Sequence, residues 1–232
     1  MITERVCLRS RDQASAVDKS GLVSGSSSVS PAQVASVQCL IVVDMQVGFI
    51  VGSDAVPQAK DLMAAVDELL ARAREAGALI VHLRNAGSPG GLDEPGVLTW
   101  ELHRKPAPGE LVIDKADDDG FRDTPLAHEL EQRGVQRLTI CGVMSEMCVA
   151  ATARGALQLG YGVVLAHNAH GTYDVPAGPG ASQRVPAPLA ARAAEWSLGD
   201  GIELVSNARS VRFIRSYGVD KIAETCPTLT TE

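Results

Sequence analysis

From Cys39 onward the chain alternates between two hydrophobic rhythms. Near-continuous apolar runs of strand length stand at Cys39-Leu-Ile-Val-Val-Asp44, Ala78-Leu-Ile-Val-His-Leu-Arg84, Leu111-Val-Ile-Asp-Lys115, residues 137–141, Tyr161-Gly-Val-Val-Leu-Ala166 and Ile202-Glu-Leu-Val205. Between them the apolar positions follow a helical period. Residues 57–76 place Leu62, Val66, Leu69 and Leu70 on one face and stop at Gly77, a residue type that readily takes the left-handed conformation closing a helix. Thr124 is a cap candidate for a helix that opens at Pro125 and runs to Arg133. Residues 149–159 and 187–198 read as two more helices. Strands that are apolar at successive positions must be covered on both faces, and helices between strands make the sheet parallel. The pattern therefore predicts an α/β protein with three layers, α/β/α, around a six-stranded parallel sheet.

The two ends lack this pattern. Residues 1–37 include the low-complexity stretch Ser20-Gly-Leu-Val-Ser-Gly-Ser-Ser-Ser-Val-Ser30, which has no core-forming periodicity and no apolar centre of a secretory signal. They are expected to be a disordered leader, with one domain over 38–216 and a tail over 217–232. Composition narrows the function classes. Aromatic residues make up 3% of the chain and the net charge is −7, both unfavourable for a nucleic-acid partner. No apolar run approaches the roughly 20 residues of a membrane span. Five cysteines at irregular spacing do not make a disulfide framework, so a reducing cytoplasm is the expected location. No Cys/His group has zinc spacing, and neither a metal nor another cofactor is expected.

Three residues of reactive type fall at the carboxyl ends of strands, the edge where open α/β sheets bind ligands. Asp44 ends the first strand, Lys115 ends the third, and Cys148 opens the helix after the fourth. With Ser145 as an N-cap, Cys148 would sit in the first helical turn, where free amides and the helix dipole favour a thiolate. A carboxylate within hydrogen-bond reach can take the thiol proton, and an ammonium between them would keep the acid charged and lower the thiol pKa. Read singly, Cys148 fits a small buried apolar residue equally well and Lys115 a solvated loop position. Asp44 is harder to pass over, because an acid closing an apolar strand needs a partner or a role. Arg84 and Asn85 end the second strand on the same rim and are candidates to orient a substrate. Phe49 is a candidate for the pocket wall, and Trp100 is either another or a buried structural tryptophan. His82 and Cys141 lie inside strands and read as core, Cys7 and Cys39 carry no evident chemistry, and Cys226 is expected to be exposed in the tail without a role.

The segments around these residues resemble the isochorismatase-like cysteine hydrolases. Cys39-Leu-Ile-Val-Val-Asp-Met-Gln-Val-Gly-Phe49 is similar to the family's opening motif. Val112-Ile-Asp-Lys115, with Phe121 and Thr124-Pro-Leu126, resembles its lysine segment. Gly142-Val-Met-Ser-Glu-Met-Cys148, with Thr152-Ala153, resembles its nucleophile segment. The family includes nicotinamidases, N-carbamoyl amide hydrolases, isochorismatases and streptothricin hydrolases. The resemblance implies a Rossmann-like fold assembled as a homodimer or homotetramer. It implies Asp44 as general base, Lys115 as the group that tunes acid and thiol, and Cys148 as the nucleophile that forms a thioester. It further implies a cis peptide between Val143 and Met144, with the amides of Met144 and Cys148 as an oxyanion hole.

Two departures shape the expected substrate. The metal-binding histidines of nicotinamidases have no counterpart, since no histidine lies between Asp44 and His82. Residues 170–188 make a long connection that is either an active-site cover or a solvated connector. Acidic residues gather near the rim at Asp93, Glu94, Glu101 and Asp117-Asp-Asp119. They are either solvated loop surface or a field that steers a cationic substrate, as a streptothricin-type lactam with an amine tail would be. The leading expectation is a metal-independent cysteine amidase acting on a small amide or lactam. A vinyl ether hydrolase of isochorismatase type and a non-catalytic small-molecule binder remain open.

Overall fold

A computed structural model describes residues 36–216. Six strands form one sheet: β1 (Cys39–Val43), β2 (Leu79–Asn85), β3 (Leu111–Lys115), β4 (Arg137–Val143), β5 (Gly162–Gly171) and β6 (Ile202–Val205). Every pairing is parallel, and the order across the sheet is β3-β2-β1-β4-β5-β6. The chain builds outward from β1 to β3, then crosses back to lay β4 on the other side of β1. The sheet therefore has its topological switch point between β1 and β4, where a crevice opens beyond the carboxyl ends. The helices are α1 (Val47–Ile50), α2 (Ala59–Ala76), α3 (Leu126–Gln132), α4 (Ala150–Gln158) and α5 (Ala187–Ser197).

Strand side chains alternate between two cores, as the period of two requires. Leu40, Val42, Ile80, Cys141 and Val164 pack with Leu62, Val66, Leu69 and Leu70 of α2 on one face. Cys39, Ile41, Val43, Val81, Leu138 and Ile140 pack with α3 and α4 on the other. Gly77 closes α2 at φ 67°, its amide donating to Ala73 and Arg74 carbonyls. His82 is buried against Glu110 at 2.9 Å, and burial holds its imidazole below the usual pKa. Among the described residues no helix is long and apolar enough to cross a membrane.

The element ends differ from the sequence expectation in informative ways. Val37, expected to be the last leader residue, is fully buried and bridges Phe213, a pairing too short to leave a pattern. The rest of the leader, the 217–232 tail, Cys7 and Cys226 lie outside the described residues. The third helix begins at Leu126 rather than Pro125. Thr124 Oγ1 accepts the Leu126 amide at 3.3 Å and donates to the Gly120 carbonyl at 2.6 Å. Strand β4 runs past Cys141 through Gly142, whose φ is +118°. A Cβ at Gly142 would meet the Val43 carbonyl oxygen at 2.0 Å, so only glycine lets β1 and β4 come this close. Strand β5 continues to Gly171, because its polar residues His167, Asn168 and His170 find partners. Beyond it, residues 172–186 form a tethered excursion. Val175 pairs with Val185, Arg184 pairs with Asp174, and Asp174 accepts the Ala187 amide at 2.7 Å at the start of α5.

Candidate active site

Asp44 follows β1 in a left-handed conformation, φ 50°. Asp tolerates this region better than most residues, and such strain at a strand end persists where surrounding contacts hold it. Here the contacts are the Asp44 amide on the Leu83 carbonyl at 3.0 Å and its carbonyl under the Gln46 amide at 2.7 Å. The turn aims the carboxylate along the carboxyl edge of the sheet. Lys115 closes β3, two strands away, and its stem reaches back past the end of β2. The Lys115 Nζ lies 2.9 Å from Asp44 Oδ2 and 3.3 Å from Cys148 Sγ. It also donates to Asn85 Oδ1 at 3.1 Å and the Asp117 carbonyl at 3.2 Å. Asp44, Lys115 and Cys148 are all buried.

Cys148 sits on an irregular turn, Ser145–Val149, between β4 and α4. The Val143–Met144 peptide is cis. Met147, at φ −103° and ψ −106°, breaks the helical path just before the cysteine. The Met144 carbonyl accepts the amides of both Met147 and Val149 at 3.2 Å. Ser145 is not the N-cap expected from its sequence position. Met144 occupies the cap position, no side chain caps the turn, and the Ser145 hydroxyl is bonded to His170 instead.

The electrostatics also depart from expectation. Burial pushes the Cys148 thiol up, the Asp44 charge adds to that, and Lys115 offsets only part of it. The shift runs opposite to the thiolate stabilisation that a helix N-terminus would give. Burial raises the Asp44 carboxyl too, against the opposing pull of Lys115. Lys115 is raised despite its burial, because Asp44 and Cys148 both favour its charge. Asp44 Oδ1 is buried without a conventional hydrogen-bond partner, and the Cys148 thiol bears on this carboxyl. The arrangement is a carboxyl and a thiol, both of raised proton affinity, bridged by the Lys115 ammonium.

The remaining candidates divide into supports and neighbours. Asn85 holds Lys115 through Oδ1, and its Nδ2 donates to Asp93 at 2.5 Å. Arg84 does not present a free guanidinium. Its fork is taken by Asp114 at 2.8 Å, Glu101 lies 3.5 Å away, and its plane covers the Trp100 ring at 3.5 Å. Trp100 donates its indole N–H to the Asn85 carbonyl at 2.9 Å, so both residues brace the end of β2. Phe49 on α1 is half-buried against the α2-side core. Of the acidic residues, Glu94 accepts the Gly90 amide, Asp117 meets Arg122, and Asp119 accepts the Phe121 amide. Asp118 is different: its Oδ1 lies 3.4 Å from Cys148 Sγ. Gln46 carries a role its sequence position did not announce. Fully buried, it exchanges two 3.0 Å hydrogen bonds with the Asn85 backbone and donates to the Trp100 carbonyl. A carboxamide two residues past the acid, in an otherwise apolar stretch, was the available signal. Among the described residues no group of three or more His, Cys, Asp or Glu side chains is disposed to hold a metal ion.

The Isochorismatase domain profile matches residues 38–188. A streptothricin hydrolase of Streptomyces noursei is 51% identical over 199 residues, which is 85% of this chain and 79% of that protein. A second streptothricin hydrolase of the same organism is 54% identical over 180 residues, 77% of this chain but only 65% of that protein's length. An isochorismatase of Pseudomonas putida superposes with a TM-score of 0.70 at 27% identity, over 77% of this chain and 92% of that one. The six-stranded parallel sheet with flanking helices is the fold these structures share.

Proposed function

This chain belongs to the isochorismatase family of hydrolases, and from that premise we propose that it cleaves a C–N amide or lactam bond of a small molecule through a thioester on Cys148. The observation that carries the reading is the placement of Lys115 Nζ within 2.9 Å of Asp44 Oδ2 and 3.3 Å of Cys148 Sγ. As the sulfur attacks the carbonyl carbon, Asp44 takes the thiol proton. The oxygen becomes an oxyanion facing the amides of Met144 and Cys148, each such donor contributing about 2.7–4 kcal/mol to barrier lowering. Collapse breaks the C–N bond, and Asp44 returns its proton to the leaving nitrogen. Water then attacks the thioester, Asp44 takes the water's proton, and the sulfur leaves and regains it. Lys115 stays charged throughout and favours the ionised carboxylate each time Asp44 has given up its proton. In a lactam the freed amine stays tethered, so the product is a ring-opened amino acid.

The named relatives and the charge of the site support a lactam antibiotic of streptothricin type as substrate. Asp118 places a carboxylate at the sulfur, suited to a cationic group beside the scissile bond. A panel of amides and lactams including streptothricin and nicotinamide, read by new-amine or ammonia release, tests the activity. Turnover of streptothricin with none of nicotinamide is the expected result. Release of no amine from any member would remove the proposal. For a cationic substrate, kcat/KM should fall steeply with salt while a neutral amide of similar size holds level. Equal salt slopes for the two would leave Asp118 and its neighbours as loop surface.

The pH profile has a defined sign. Activity needs Asp44 ionised, so the acid limb of kcat/KM falls as pH drops through its folded pKa. Burial sets that limb above the ordinary 3.8. A limb at or below that value, measured with a non-ionising amide, would mean another group is the base.

A further inference from the structure

Behind the cysteine turn runs a line of buried polar groups drawn from three elements. The Ser145 hydroxyl lies 2.9 Å from His170 Nδ1, and His170 Nε2 lies 3.0 Å from Glu195 Oε1. Ser145 comes from the turn, His170 from β5 and Glu195 from α5, and all three are buried. Glu195 is further gripped by His167 at 2.6 Å and Arg192 at 3.1 Å. Burial alone would raise its carboxyl, but the two imidazole hydrogen bonds outweigh that and hold it below the usual range. An ionised Glu195 can only accept, so His170 carries its proton on Nε2. His170 Nδ1 and the Ser145 hydroxyl share the second hydrogen bond of the line. The line is hydrogen-bonded throughout, from the cysteine turn to α5.

Burying three polar groups is costly, and apolar side chains of similar volume would hold the layers together at least as well. The geometry excludes the obvious chemical use. Ser145 is 2% exposed and its hydroxyl is bonded to His170, so no substrate reaches it as a nucleophile. What the line does touch is the backbone between Met144 and Cys148. That backbone leaves helical geometry at Met147, so regular helix hydrogen bonds do not hold it alone. One further side-chain tie, Thr172 Oγ1 to Glu146 Oε1 at 2.8 Å, joins the same turn to the chain just after β5. We infer that Ser145, His170 and Glu195 form a positioning line that anchors the cysteine turn to β5 and α5 and so fixes the oxyanion-facing amides. This rests on the proposed acyl transfer at Cys148. Displacement by about 1 Å at such a site costs on the order of a hundredfold in rate.

Two chemical probes separate positioning from general disruption without needing the natural substrate. Acylation by p-nitrophenyl acetate forms the sulfur–acyl bond, breaks the ester C–O bond and releases p-nitrophenolate through an oxyanion. Alkylation by iodoacetamide displaces iodide with no oxyanion. Ser145→Ala and Glu195→Gln should each slow acylation of Cys148 by about ten- to a hundredfold while leaving alkylation within about twofold. The double variant should be no slower than the worse single one, since a line broken once is already broken. Ser145→Thr, which keeps the hydroxyl, should recover most of the acylation rate. Acylation unchanged in both single variants, or acylation and alkylation falling together, would overturn the inference. A wild-type Cys148 inert to both probes would instead overturn the acyl-transfer reading beneath it.

Discussion

Replacing Cys148 with alanine should lower amide kcat/KM by about 10⁴–10⁶ while leaving the fold intact. The sulfur supplies the only bond from protein to substrate in the proposed cycle, so nothing downstream survives its loss. The stability cost is modest, because Cys148 is a small buried side chain and alanine removes only its sulfur. Far-ultraviolet circular dichroism and substrate turnover check the two halves together. The same variant separates the alternatives. Retained cleavage of isochorismate by Cys148→Ala would support vinyl ether hydrolysis, which needs an acid but no thioester. Retained amide cleavage would remove the cysteine mechanism altogether.

Lys115→Met carries the second large effect, and it has two parts. Removing the ammonium leaves Asp44 buried with one oxygen already unpartnered and the other newly so. Breaking a buried ion pair in this way typically costs about 3–5 kcal/mol. It also drives the Asp44 pKa further up, so the carboxyl is protonated near neutrality and no longer serves as a base, a loss of about 10²–10⁴ in rate. The sign of the pH dependence follows from the raised folded pKa. Below the unfolded pKa Asp44 is protonated in both states and the variant's deficit is smallest. Above that point the deficit grows with pH, because the unfolded carboxyl ionises while the buried one stays protonated, and it levels off once the buried carboxyl ionises too. Urea unfolding at about pH 5 and about pH 8 should show this widening. Asp44→Asn in the Lys115→Met background should recover stability without recovering activity, since it removes the orphaned charge. Lys115→Met with wild-type stability at both pH values would mean the pair contributes nothing to holding the crevice together.

Much of the architecture was legible because strand cores and helix faces are written in hydrophobic period. The six apolar runs and the α2 face are of this kind. The carboxyl-end rule then brought Asp44, Lys115 and Cys148 to one rim from distant stretches of chain. What escaped the sequence depends on partners that period does not encode. The last part of β5 looked like loop because His167 and His170 are polar, yet Glu195 on α5 satisfies them both. The continuation of β4 was hidden by Gly142, whose value is its missing Cβ. Arg84 looked available because neither Asp114 nor Trp100 is its neighbour in sequence. The sign of the thiol's shift was missed for the same reason. Helix position argues for a thiolate, whereas burial and the Asp44 charge push the thiol up.

The proposed chemistry requires the substrate's acyl group to pass through the Cys148 sulfur. Mixing protein with excess substrate, quenching in acid within milliseconds to seconds, and reading the intact mass tests this most directly. For a lactam, which keeps its amine, the account predicts an adduct of the whole substrate mass. For an open amide it predicts the acyl fragment alone. In either case peptide mapping should place it on Cys148, and it should be absent in Cys148→Ala. Full turnover with no adduct at any quench time, together with undiminished activity in Cys148→Ala, would contradict it.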